Sequence, residues 1–183
     1  TNLYKDLELI HLRSKRYRFD FSCFLQSRKE FEFLANEDMI GNLIKQMTKG
    51  VNTFIDIGAG CGFYSILAGK SNPELEIHCF EPVPMLHDLL TSNLADNHIQ
   101  AVVHPFLASN VDGDTEILTT DRVEEFRINS PTNQVDPQRF NVKTVRADRL
   151  LKDISAGPVL LRIEARGYEV RALEGLKELI EKI

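Results

Sequence analysis

At roughly 100–200 residues per domain, a chain of 183 residues is one domain, or one domain with an appendage. An apolar share of 43% excludes a disordered chain, and no run approaches the ~18–20 consecutive apolar residues of a membrane-spanning helix. The 22 basic and 27 acidic side chains sum to −5, opposite in sign to duplex-binding proteins, so neither a nucleic acid nor a membrane is an expected partner.

Three scattered cysteines, Cys23, Cys61 and Cys79, suit neither a disulfide framework nor a metal site. They read as reduced thiols of a cytoplasmic-type compartment. The chain opens at Thr1 and stops inside a helical pattern, which reads as part of a longer polypeptide.

Residues 1–50 carry 9 basic and 7 acidic side chains, against 13 and 20 in 51–183. Tyr17, Phe19, Phe21 and Cys23 alternate with polar residues, the period of a half-buried strand, with Leu7, Leu9 and Ile10 as its hairpin mate. Between them Arg13, Lys15, Arg16 and Arg18 fall together and read as a solvated turn, the other reading being a contact for an acidic partner. Asn36 is a predicted N-cap with Glu37 and Asp38 in the first turn. Ile40, Leu43, Ile44 and Met47 follow at helical spacing, closed by Gly50. This segment reads as an N-terminal α/β appendage of hairpin and helix.

From Val51 the pattern becomes strand–helix alternation. Predicted strands cover 53–57, 76–80, 101–107 and 159–163; predicted helices cover 63–69, 84–94 and 169–183, the last with Val170, Leu173, Leu176 and Ile180 inward. Strands without a polar face, joined by helices, predict a parallel sheet covered on both sides. The polar stretch 121–141 reads as a long loop on the ligand side, a candidate substrate lid.

Asp56-Ile-Gly58-Ala59-Gly60-Cys-Gly62 lies between the first of these strands and its helix. A dinucleotide fingerprint would need glycine at Phe63, and here the third glycine comes one residue early. The spacing instead suits a nucleoside ligand without a pyrophosphate, with helix-start amides facing a carboxylate such as that of S-adenosylmethionine. Glu81, 19 residues after Gly62 at the end of the next strand, stands where a carboxylate takes both ribose hydroxyls, with Pro82 against the adenine. Asp56 would act through its charge and by fixing the glycine turn. Tyr64 faces either the methionine part or the helix packing. His78 and His104 read as core or edge histidines.

These strings resemble the FkbM-type methyltransferases, a branch of the Rossmann-like S-adenosylmethionine-dependent enzymes. The resemblance rests on D-I-G-A-G-C-G-F-Y-S at 56–65, F-E-P-V-P at 80–84, Ala108-Ser109 and Gly113, V-R-A-D-R-L-L at 145–151 and L-R-I-E-A-R-G-Y-E at 161–169. It implies a doubly wound, mostly parallel α/β sheet over 51–183, here without its last strands. It implies S-adenosyl-L-methionine held by Asp56, Gly58, Ala59, Gly60, Tyr64, Glu81 and Pro82, with Leu107 and Ala108 near the adenine. A small-molecule or sugar hydroxyl is the implied acceptor.

Where the family has aspartate, this chain has Glu164, the candidate general base or a structural partner of Arg162 or Arg166. Where the family has glutamate it has Arg166, a reversal of charge. That departure gives a second reading, a catalytically silent methyltransferase-like scaffold, and a third is a nicotinamide-dependent oxidoreductase. The strand at 159–163 would present an open edge, calling for further strands beyond Ile183 or a second copy of the chain as its cover.

Overall fold

A computed structural model of the protein describes residues 8–24, 28–29, 32, 39–119, 126–128 and 138–182. The predicted cap Asn36, with Glu37 and Asp38, lies outside them, as does Leu7.

Strands β1 (Leu9–Ser14) and β2 (Phe19–Phe24) form an antiparallel hairpin with Ser14 opposite Phe19. Ser14 closes its tip: its carbonyl accepts from the Arg18 amide (2.8 Å), its hydroxyl from that of Tyr17 (3.1 Å), and Arg18 turns the chain at φ 63°. Helix α1 (Met39–Met47) runs into one 3-10 turn, Thr48–Gly50. Of its predicted apolar stripe only Ile44 is buried, with Gly41 beside it; Ile40, Leu43 and Met47 face solvent.

The hairpin is fastened to the main body. In helix α3 (Pro84–Asp96), Asn93 accepts from the Ser22 amide (2.7 Å) and donates to the carbonyls of Ser22 and Cys61 (both 2.8 Å). Asn97 donates to the Asp20 carbonyl (2.7 Å), and Phe19 and Phe21 each lie 5.3 Å from the ring of Phe63.

The main sheet holds four parallel strands in the order β10 (Val159–Ile163), β3 (Thr53–Ile57), β4 (Glu76–Phe80), β5 (Val102–His104). Helix α2 (Phe63–Ser71) joins β3 to β4, and α3 joins β4 to β5. The chain steps outward from β3 through β5 and returns as β10 on the other side. That makes the β3–β10 boundary a topological switch point, where α/β sheets of this Rossmann-like kind bind ligands at their carboxyl ends. β3 is buried along its whole length, with Phe54, Ile55 and Ile57 at the centre of the core. β10 is the terminal strand among the described residues and is only half-buried.

Three expectations need correction. The strand predicted at 101–107 is two: β5 in the main sheet, and β6 (Leu107–Ser109) in a second sheet ordered β6, β9 (Gln138–Arg146), β7 (Gly113–Thr119), β8 (Phe126–Ile128). That sheet also takes part of the stretch read as a loop. β9 runs parallel to β6 and antiparallel to β7, so its first residues are ladder and not lid; 121–125 and 129–137 lie outside the described residues. The helix predicted at 169–183 is broken into α5 (Glu169–Glu174) and α6 (Lys177–Ile180), after the short α4 (Ala147–Leu150). Ala172, Leu176 and Leu179 are its buried residues, while Val170, Leu173 and Ile180 are exposed.

The break has a cause on each side of it. A Cβ at Gly175 would meet the Ser109 carbonyl oxygen at 1.8 Å, so the chain passes against β6 without room for a side chain. Asp148, buried in α4, then accepts from the amides of Glu178 (3.2 Å) and Leu179 (2.9 Å) and caps the new helix.

Candidate functional site

The glycine turn leaves the carboxyl end of β3. Gly58, Gly60 and Gly62 all have positive φ (78°, 58° and 88°), backbone that other residues adopt at a cost. The amides of Gly58 and Ala59 donate to the Phe80 carbonyl (2.9 and 3.1 Å), drawing the turn over the end of β4. Gly58 also has no room for a side chain, since a Cβ would lie 2.1 Å from the Glu164 carbonyl oxygen.

Glu81 completes the link between β3 and β4. Its side chain is fully buried; one carboxylate oxygen accepts from the Gly60 amide (2.9 Å) and the other from the Val83 amide (2.9 Å).

Beside it, Gly58, Pro82, Leu107 and Ala108 pack with Ile57, Phe80, Phe106 and Ala165 around an apolar recess too tight for a water molecule. Sites that enclose a drug-sized ligand run to ~300–1,000 Å³, so this lining must part before it takes even a single ring.

Asp56, under the turn, is fully buried and paired. It accepts from the Ser65 hydroxyl (2.6 Å) and from Arg162 (2.6 Å), the residue opposite it in the β10–β3 register. Arg162 also donates to the Gly58 carbonyl (3.3 Å) and lies over the Tyr64 ring at 4.4 Å. Burial works against its charge, but the carboxylates of Asp56 and Glu164 outweigh that and raise its pKa. The Cys79 thiol, donating to Ser65 at 3.2 Å, is pushed up by burial and by Asp56 and stays protonated.

Glu164 follows β10 and is half exposed. Arg162 holds one of its oxygens and Arg166 approaches the other at 3.6 Å. Arg166 stands in left-handed backbone (φ 49°) and Gly167 follows at φ 100°. The Glu169 carboxylate fills the concave turn they form, accepting from the amides of Ala165 (3.0 Å) and Gly167 (2.9 Å). Burial raises the pKa of Glu169, but these backbone donors outweigh it and lower it overall.

Of the lining residues the sequence reading named Gly58, Pro82, Leu107 and Ala108 as cofactor contacts and left out Ile57, Phe80 and Ala165, and it missed that Arg162 is the counter-charge of Asp56. The signal was present: a lone cation in an apolar strand needs a buried acid in register with it. His78 and His104 form a buried pair, Nδ1 to Nε2 at 3.1 Å, with Glu76 on the far nitrogen of His78 (2.9 Å), and the His104 ring stacks on Phe80 at 4.4 Å. Burial and its neighbour hold His104 low, at about 4.

No family model matches the chain. A protein of Sordaria araneosa described as Methyltransferase sdnD is 32% identical over 77 residues, 42% of this chain and 30% of that protein. The chain thus spans under a third of that relative's length. A tRNA (uracil-54, C5)-methyltransferase of Pyrococcus abyssi, solved with S-adenosyl-L-homocysteine, aligns with a TM-score of 0.39 and 18% identity over 56% of this chain and 24% of that one.

Proposed function

We propose that the chain binds S-adenosylmethionine and belongs to a methyltransferase of the FkbM type acting on a small-molecule or sugar hydroxyl. The observation that carries this reading is the bridge from Gly60 to Glu81, which ties the glycine turn after β3 to the acid after β4 beside the switch point. The partial identity with a protein described as a methyltransferase supports it.

In this reading Glu81 accepts the ribose hydroxyls in exchange for partners it holds in the closed turn, and Pro82, Leu107 and Ala108 part to flank the adenine ring. Because Glu81 is buried, a ribose reaches it only when the segment at Pro82–Val83 or the glycine turn moves aside. Asp56 holds the floor of the turn through Ser65 and Arg162; its charge is compensated there and is not presented to the ligand. Tyr64 and Ala59 complete the wall. The cofactor supplies a methyl group on a sulfonium; the protein's part is chiefly alignment, worth up to ~7–11 kcal/mol. Glu164 stands where it can take the acceptor hydroxyl's proton.

Titration calorimetry with S-adenosylmethionine tests the reading. Binding that Glu81→Ala abolishes supports it, and absence of heat from the intact chain overturns it. Glu164's ion pairs with Arg162 and Arg166 favour a second reading, a binding module without turnover. Binding without S-adenosylhomocysteine release across a panel of hydroxyl acceptors would select that second reading.

A further inference from the structure

We propose that the face made by α1 and the β1–β2 turn docks the protein on anionic lipid surfaces. α1 presents Met39 (81% exposed), Leu43 (54%) and Met47 (44%) one helical turn apart, with Ile40 (51%) beside them. Its other solvent-facing residues include Lys45, and Lys49 follows in the 3-10 turn.

The hairpin tip lies next to this helix, where the Tyr17 hydroxyl donates to the Asn42 side chain at 3.4 Å. The tip carries Lys15, Arg16 and Arg18 in exposed positions, with Arg16 over the Tyr17 ring at 5.8 Å and Arg13 paired to Asp20 at 3.5 Å. Ser14 fixes the tip at both ends, so its cations are presented on a firm turn.

Charge and shape together select the partner. The exposed tip cations Lys15, Arg16 and Arg18, with Lys49 past the end of α1, beside an apolar helix face match the pattern of helices that lie in a membrane interface. Protein interfaces instead deplete lysine and seat aromatic or arginine anchors in pockets. Here the apolar residues form a ridge, and Met39 at 81% exposure is nearly bare on every side, which a deformable lipid layer accommodates and a rigid partner does not. No helix among the described residues is long and apolar enough to cross a membrane, so the contact is peripheral. The sequence reading took the basic turn for a solvated one because nothing in the chain order shows it beside α1.

Co-sedimentation of the whole chain with phosphatidylcholine vesicles, with and without phosphatidylserine, tests this. Binding is expected with phosphatidylserine only and should fall with added salt. At ~1 kcal/mol per cation near the surface, Lys15→Glu with Arg18→Glu should weaken it by about 30-fold or more. Leu43→Glu with Met47→Glu should weaken it by at least about tenfold. All four side chains are exposed, so melting temperature should not move. Binding equal on both vesicle types, or retained by either double variant, overturns the proposal. So does a concentration-dependent dimer, or capture by polyglutamate, that Leu43→Glu abolishes in a protein indifferent to vesicles.

Discussion

Arg162 and Asp56 face each other across the β10–β3 boundary, joined at 2.6 Å, the aspartate fully buried and the arginine nearly so. Breaking such a pair from one side leaves a stranded charge, which costs about 3–5 kcal/mol, whereas replacing both partners by apolar residues is often nearly neutral. Arg162→Met should therefore lower stability by that amount in urea titrations. Arg162→Met with Asp56→Leu should recover most of it, although Ser65 then loses its acceptor.

Glu81→Gln tests the bridge without changing its shape. An amide can accept from only one of the Gly60 and Val83 amides and turns a donor toward the other. A buried group left unmatched costs about 1–3 kcal/mol, so the melting temperature should drop. Loss of charge-assisted bonds to the ribose, each worth about 1.5–3 kcal/mol, should weaken S-adenosylmethionine by tenfold or more in calorimetry.

Two glycines two residues apart should respond differently. Gly58→Ala places a methyl group against the Glu164 carbonyl and should prevent the native turn, seen as loss of cooperative unfolding. Gly60→Ala meets nothing within 4 Å and bears only the left-handed backbone, a cost of about 1 kcal/mol. It should fold cooperatively, with the Gly60 amide still bonded to Glu81.

His104 gives the fold a dependence on acid. Its folded pKa, about 4, lies below the ~6.5 of an unfolded histidine. Between those values the unfolded chain holds more protons, so stability is full above about pH 6.5 and declines as pH falls toward 4, by up to about 3 kcal/mol. Glu169 adds to this lower down. Its pKa is depressed, so its contribution is present above the ordinary ~4.3 and lost below it. Melting temperatures of His104→Leu and Glu169→Gln against pH should show each slope removed separately.

The parallel strands, the glycine turn and Glu81 were legible because they depend on local pattern: apolar runs, glycines at fixed offsets, an acid at a strand end. The second sheet was not. β7, at Gly113–Thr119, mixes charged and polar residues with Ile117 and Leu118, and the alternation of Phe140, Val142 and Thr144 with Arg139, Asn141 and Lys143 marks β9 as a strand without saying which strands it joins. The break before Leu176 depends on Gly175 meeting the Ser109 carbonyl, a contact between residues 66 positions apart. For α1 the spacing was helical, but which face was inward depended on α2 and the hairpin.

Asn93 grips Ser22 and Cys61 with a single amide group. The hairpin therefore serves as a splint for the turn it never directly lines. Shaving off the first two strands would expose the aromatic flank of Phe63 and leave two hydrogen bonds of that asparagine without mates. What looks like a leader to the parallel sheet is one of its retaining walls.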